Sequence, residues 1–241
     1  MSLDLAIVDY WASSGRSPWH RASAASKLAL AGALLGASVF SSSLPFLVGL
    51  FALLWAMVVV GRLPAGRVAL LAAYPALFSL IFIASRWDGT WTTPLVFLAR
   101  SLNGGLAAIW LVGTTPYPDL FAPLSRIVPP LVGDALFLTY RAFFTIAEKI
   151  VQLAAALRLR GGLGKAGPRH ALANVGQGLG TLVVFSAERS QRVYAVMALR
   201  GHSGRICGCR HWREGRRADW LPATLAVLVV AAAVWVAGKT P

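Results

Sequence analysis

Five apolar stretches, none containing Asp, Glu or His, constrain this chain more than any other feature. They cover residues 28–40 (extendable to 24 and 43), 44–60, 68–84, 92–112 and 221–237. A helix that crosses a bilayer needs about 20 mainly apolar residues, and these runs match or approach that length. Within hydrocarbon the backbone must satisfy its own hydrogen bonds, so runs of this kind are read as helices. Composition agrees: 57% of the chain is hydrophobic and 13% charged, against about 25% charged in ordinary soluble domains. The mean hydropathy is +0.64. The expected fold is an all-α integral membrane protein of about five transmembrane helices, with long cytoplasmic helices between the fourth and fifth spans. The 9 Trp, 11 Phe and 23 Gly fit that class, aromatics anchoring at interfaces and small residues letting helices approach. Asp4 and Asp9 interrupt the first apolar residues, so no cleavable signal peptide is expected at the N-terminus. Cys207 and Cys209 stand too close together to staple a fold.

The net charge of +14 would point to nucleic acid in a soluble protein. In a membrane protein the positive-inside rule accounts for it, and no nucleic-acid partner is expected. Arg16, Arg21 and Lys27 precede or open the first span, and Arg62 and Arg67 lie between the second and third. Residues 119–219 carry 15 Lys and Arg against 6 acidic residues. The connection at 86–91, with two Trp and a single Arg, suits an outer interface. These biases place the protein in the cell (inner) membrane as a multi-pass chain, its N-terminus and basic region cytoplasmic and its C-terminus outside. Three parts follow: a membrane domain of four spans at 1–113, a cytoplasmic module at 114–219, and a final span at 220–241.

The module is too long for a loop and too apolar for an independent soluble domain. A short helix is expected from Asp119, broken by Pro129-Pro130. Residues 131–160 then read as one or two long helices, 161–168 as a turn, and 171–200 as another long helix weakened by Gly176, Gly178 and Gly180. Glu188 and Arg192 are spaced for an i,i+4 pair. The apolar faces of both helices must lie against the membrane surface, each other or a partner.

Both long helices close alike, with Leu159-Arg160-Gly161 and Leu199-Arg200-Gly201. One reading is helix termination: Gly at C′ adopts the left-handed conformation, and Arg in the last turn complements the helix dipole. The other is docking, since an Arg fork projected from a helix end suits an acidic or carbonyl-lined groove on another protein. Arg100 and Asn103 fall inside the fourth span. An Arg at a span centre costs about 2.5–3.5 kcal/mol unless it snorkels or pairs. At about 1.5 Å per residue Arg100 lies some 12 Å in, so either outcome is open.

Other constellations carry less. The His202, Cys207, Cys209 and His211 spacing is not that of a zinc site, and Arg205, Arg210 and Arg213 crowd the same segment, so no metal site is expected. Gly164-Lys165 and Gly238-Lys239-Thr240 lack the first glycine and the strand and helix of a phosphate loop, so neither is read as an ATP site. No catalytic constellation is present and no cofactor is implied. With all nine carboxylates and all four histidines outside the spans, a substrate cation is expected to bind on another subunit.

The segments Thr114-Thr115-Pro116-Tyr117-Pro118-Asp119, Leu138-Thr139-Tyr140-Arg141, Ser186-Ala187-Glu188-Arg189 and 194–201 resemble the transmembrane T component of energy-coupling factor (ECF) transporters, the cobalt and nickel permeases of CbiQ type. The resemblance covers roughly residues 95–205. It implies a non-catalytic subunit with two ABC-type ATPase partners and a separate substrate-binding S component in the bilayer. It further implies that Arg160, Gly161, Arg200 and Gly201 are ATPase-coupling residues, supported by Leu159, Leu199, Glu188, Arg189 and Arg192. The family motif reads Ala-Arg-Gly; here Leu159 and Leu199 take the Ala positions. The implied cargo is cobalt or nickel. A T component serving a vitamin such as biotin, or a stand-alone permease or channel whose basic region anchors anionic lipid, are the alternatives.

Overall fold

A computed structural model describes residues 10–13, 15, 17–85, 89–125, 128–159, 168–202 and 219–238. Its elements are α1 (Pro18–Arg21), α2 (Ala24–Phe40), α3 (Leu44–Val60), α4 (Ala65–Ser85), α5 (Thr92–Thr114), α6 (Tyr117–Leu124), α7 (Pro130–Leu159), α8 (Pro168–Leu199) and α9 (Trp220–Ala237). The fold is all-α, as expected, and no strand occurs among the described residues. α4 and α5 are long and apolar enough to cross a membrane, and α2, α3 and α9 are shorter apolar helices.

Helix starts depart from the sequence reading where proline and capping chemistry intervene. Pro130 and Pro168 open α7 and α8 rather than preceding them, because a proline at the first helical position has a preset φ and no N–H to leave unpaired. The short helix opens at Tyr117, which puts Asp119 in its first turn, where a carboxylate meets the positive end of the helix dipole. α4 begins at Ala65, ahead of the expected 68, and so takes Arg67 into its first turn, where the guanidinium lies 5.9 Å from the Trp11 ring centroid. Ser23 caps α2, its hydroxyl accepting the Ser26 N–H at 3.3 Å.

The chain divides into two compact units, residues 1–123 with 209–241, and residues 124–208. In the first, α5 packs against α2, α3 and α4, while α9 packs along α2. The pattern along α5 explains its central place. Asn103, Leu106, Ala107, Trp110, Gly113 and Thr114 recur at helical spacing and are buried. They meet Leu30 and Leu34 of α2, Leu54 and Val58 of α3, and Val68 and Ala72 of α4 in one apolar core. Trp19 of α1 closes that core edge-on to Trp110, with ring centroids 5.3 Å apart. Gly105 permits a close approach of α5 to α4, since a Cβ there would stand 3.1 Å from the Ala72 carbonyl oxygen and 3.2 Å from Pro75 Cγ.

α2 and α5 run antiparallel and each supplies a cation to the other's carboxyl end. Lys27, 2% exposed, donates from Nζ to the Thr114 carbonyl at 3.0 Å. Arg100 donates from Nε and Nη2 to the Ser41 carbonyl at 3.3 and 2.8 Å, and from Nη2 to Ser42 Oγ at 3.3 Å. The last carbonyls of a helix have no partner within it and carry its negative end, so a cation there is doubly favourable. For Arg100 the polar contact with a neighbouring helix is therefore the outcome. Asn103 donates from Nδ2 to the Leu47 carbonyl at 3.1 Å. At the other end of the core, Asp219 accepts from the Ser23 N–H and from Ser26 Oγ, which joins the start of α9 to the start of α2.

Candidate functional site

The second unit is built on α7 and α8, which lie antiparallel. Leu153 packs where Gly178 allows it, for a Cβ at Gly178 would fall 2.8 Å from Leu153 Cδ2. Further along, Lys149 Nζ lies 5.2 Å from the Phe185 ring centroid, and Arg189 Nη2 donates to Thr145 Oγ1 at 3.4 Å. Of the three glycines that weaken this stretch as a helix, Gly178 is thus the point of close approach, while Gly176 and Gly180 face open space. α8 runs through all three without a break. Each glycine costs the helix about 1 kcal/mol in propensity, and at Gly178 the packing of Leu153 works against that cost.

The end of α8 is a complete Schellman cap. Gly201 takes φ +71°, its N–H donates to the Ala198 carbonyl at 3.1 Å, and the His202 N–H donates to the Met197 carbonyl at 3.0 Å. This cap ends the helix at Leu199, leaving Arg200 exposed at the terminus and Leu199 87% exposed. At the end of α7 Leu159 is 90% exposed. Arg160 and Gly161 lie outside the described residues, as does most of the expected turn. The Glu188–Arg192 pair forms at 3.5 Å with both side chains largely in water, where such a pair contributes at most a few tenths of a kcal/mol.

Register along the pair separates the two helix ends. With Thr145 opposite Arg189 and Leu153 near Gly178, Leu199 falls beside the start of α7 and Leu159 beside the start of α8. About 24 residues of helix lie between them, roughly 36 Å at about 1.5 Å per residue. Leu159 and Leu199 are therefore not brought together; they mark opposite ends of one hairpin.

Between the first half of α7 and the second half of α8 lies a cleft of about 570 Å³. Arg141 comes from α7, Arg189 and Arg192 from α8 and Arg200 from just past its end, with Phe137, Leu138 and Val196 among the apolar residues between them. Sequence reasoning singled out Arg189, Arg192 and Arg200, named Arg141 only within the Leu138-Thr139-Tyr140-Arg141 motif and not as a site residue, and missed Phe137 and Thr145, which only the pairing brings to them. The signal present was the spacing of Phe185, Arg189, Val193, Val196 and Arg200, one face of α8 at steps of three and four.

Away from the hairpin, His20 is held in the first unit, before α2. Its Nδ1 accepts from Ser17 Oγ at 2.6 Å and its Nε2 donates to the Trp11 carbonyl at 3.2 Å. Burial pushes the imidazole pKa below its ordinary 6.5, against the raising effect of the Trp11 carbonyl and with the Lys27 charge lowering it further. Among the described residues no three of His, Cys, Asp and Glu gather as a metal site; Cys207, Cys209 and His211 lie outside them.

A family model described as cobalt transport protein, CbiQ, matches residues 15–208. No curated protein matches the chain closely enough to count as a relative.

Proposed function

The chain belongs to the CbiQ family of cobalt transport proteins, membrane proteins of transport, and from that premise we propose that it is the transmembrane coupling subunit of an ECF-type ABC importer. In this reading it hydrolyses nothing itself. Two ABC-type ATPases bind the ends of α7 and α8, and a separate S component in the membrane holds the cargo, cobalt or nickel. The observation that carries the reading is the antiparallel hairpin, whose ends at Leu159 and Leu199 stand roughly 36 Å apart by the rise of about 1.5 Å per residue. An arginine next in sequence to each of these ends suits two partners that approach and part.

The proposed mechanism uses the helix ends as handles and the helices as levers. The Schellman cap at Gly201 stops α8 abruptly and leaves Arg200 projecting from a rigid end. A planar guanidinium there can make two parallel hydrogen bonds to a carboxylate or to paired carbonyls. When the ATPases close on ATP, each draws its helix end with it, and because α7 and α8 are single helices of 30 and 32 residues, the displacement passes along them with little bending. The exposed apolar faces, including Leu131, Ile150, Leu179 and Val183, offer the S component a surface on which burial is worth about 25 cal/mol per Å². Reorientation of that component would release the ion on the cytoplasmic side. In this reading the N-terminus and the hairpin are cytoplasmic and the membrane is the inner one, which the excess of Lys and Arg in the connecting segments supports by the positive-inside rule.

The deciding experiment pairs ⁵⁷Co uptake in cells with co-purification from solubilised membranes, comparing wild type with Arg160→Ala/Arg200→Ala. The double variant should insert at wild-type abundance, lose its ATPase partners and lose uptake. Wild-type uptake by the double variant would refute the coupling role. Uptake by the chain expressed without partners would point to a stand-alone permease.

A further inference from the structure

The cleft between α7 and α8 combines two chemistries that a helix-end docking site does not need. Arg141, Arg189, Arg192 and Arg200 line a space of about 570 Å³ together with Leu138 and Val196. Glu188 offsets Arg192 at 3.5 Å, in water, so the lining keeps an excess of positive charge. Arginine forks match the geometry of phosphate oxygens and are more weakly hydrated than ammonium groups. The apolar residues beside them would be poorly used by a purely ionic ligand. The volume is that of a small-molecule site, about 300–1,000 Å³.

We propose that this cleft binds an anionic phospholipid, its phosphodiester held among the arginines and the first methylenes of its chains lying over Leu138 and Val196. Charge complementarity and the mixed lining select this occupant over an acidic protein segment, and a membrane protein meets it at high local concentration. The proposal requires only that the chain be a membrane protein and does not rest on the coupling reading. Arg200 is common to the cleft and to the α8 terminus, so a bound headgroup would also orient the side chain that the coupling reading uses.

The test is native mass spectrometry of the full chain purified in mild detergent, titrated with dioleoyl phosphatidylglycerol or with dioleoyl phosphatidylcholine. Wild type should bind the anionic lipid at least tenfold more tightly, and added salt should weaken binding by screening. Arg141→Gln/Arg189→Gln should lower its affinity about tenfold while circular dichroism and elution volume stay unchanged. Should that pair fail to fold, Arg141→Gln alone should still weaken binding severalfold. Arg158→Gln, an exposed charge of α7 outside the cleft, should leave binding intact. Equal affinity for the two lipids, an undiminished adduct in the folded cleft variants, or an equal loss in Arg158→Gln would overturn the proposal. Displacement of the lipid by equimolar inorganic phosphate would make the cleft a site for free phosphate and refute the lipid assignment. Loss of a co-purifying protein in the cleft variants, with lipid retained, would make it a protein-docking groove and equally refute it.

Discussion

Arg100 offers a test in which two physical effects predict opposite signs. On insertion grounds alone, replacing an arginine about 12 Å inside a span with methionine removes a burden of up to about 2.5–3.5 kcal/mol and should stabilise the protein. The structure opposes this. Nε and Nη2 both donate to the Ser41 carbonyl, at 3.3 and 2.8 Å, and Ser41 is buried. Two bonds to one acceptor count as one interaction, about 1.5–3 kcal/mol for a charged donor, and its loss leaves the end of α2 with a buried carbonyl deprived of a strong partner, about 1–3 kcal/mol. The insertion burden is already partly relieved, because Arg100 is only half-buried and points toward the end of α2. The net expectation for Arg100→Met is a destabilisation of about 2 kcal/mol. At about 2–4 °C per kcal/mol for a chain of this size, that is roughly 4–8 °C in apparent melting temperature. Fluorescence-detected gel filtration after heating in detergent measures it, scan conditions being held fixed because unfolding of such proteins is usually irreversible. Arg100→Lys, which keeps the charge but not the fork, should fall between. An unchanged or raised melting temperature in Arg100→Met would show that Arg100 merely snorkels and that the reciprocal capping of α2 and α5 contributes nothing.

Further expectations concern the packing of the spans, the helix end and pH. Gly105→Ala should destabilise by about 1–3 kcal/mol through overpacking against Ala72 and Pro75, whereas Gly104→Ala, whose Cβ would meet only Leu35 at 3.9 Å, should melt within a degree or two of wild type. Gly201→Ala forces a side chain into the left-handed region at a cost of about 1–2 kcal/mol; it should fray the end of α8 and reduce ATPase co-purification without lowering membrane abundance. His20 has a folded-state pKa below its unfolded value. Its contribution is therefore fully present above the unfolded pKa, about 6.5, and is lost as pH falls through the folded pKa, the unfolded chain taking up the proton first. Melting temperature should drop on acidification below about pH 6.5, and His20→Gln should flatten that slope. A slope unchanged in His20→Gln would assign the acid sensitivity elsewhere.

What the sequence determined by itself is the set of elements and their class. Hydropathy located the apolar helices to within a few residues, because burial in hydrocarbon demands runs of fixed length and the demand is local. Leu199-Arg200-Gly201 announced the end of α8 for the same reason: a left-handed C′ residue is a property of one backbone position, which glycine satisfies most cheaply. The Glu188–Arg192 pair, one turn apart, was equally legible. Contacts between helices were not. Nothing local says that Arg100 would meet Ser41, or Lys27 Thr114, since each pair is some 60 to 90 residues apart and depends on α2 and α5 lying antiparallel. Gly178 read as a flaw in a helix until Leu153 was seen to fill the space it leaves. The cleft required the register of α7 on α8, which sets Arg141 near Arg189 and Arg192 of α8 and Arg200 just past its end. Helix formation is decided by neighbours in sequence. Which charges share a space is decided by packing, and that information lies in the faces two helices turn toward each other rather than in either helix alone.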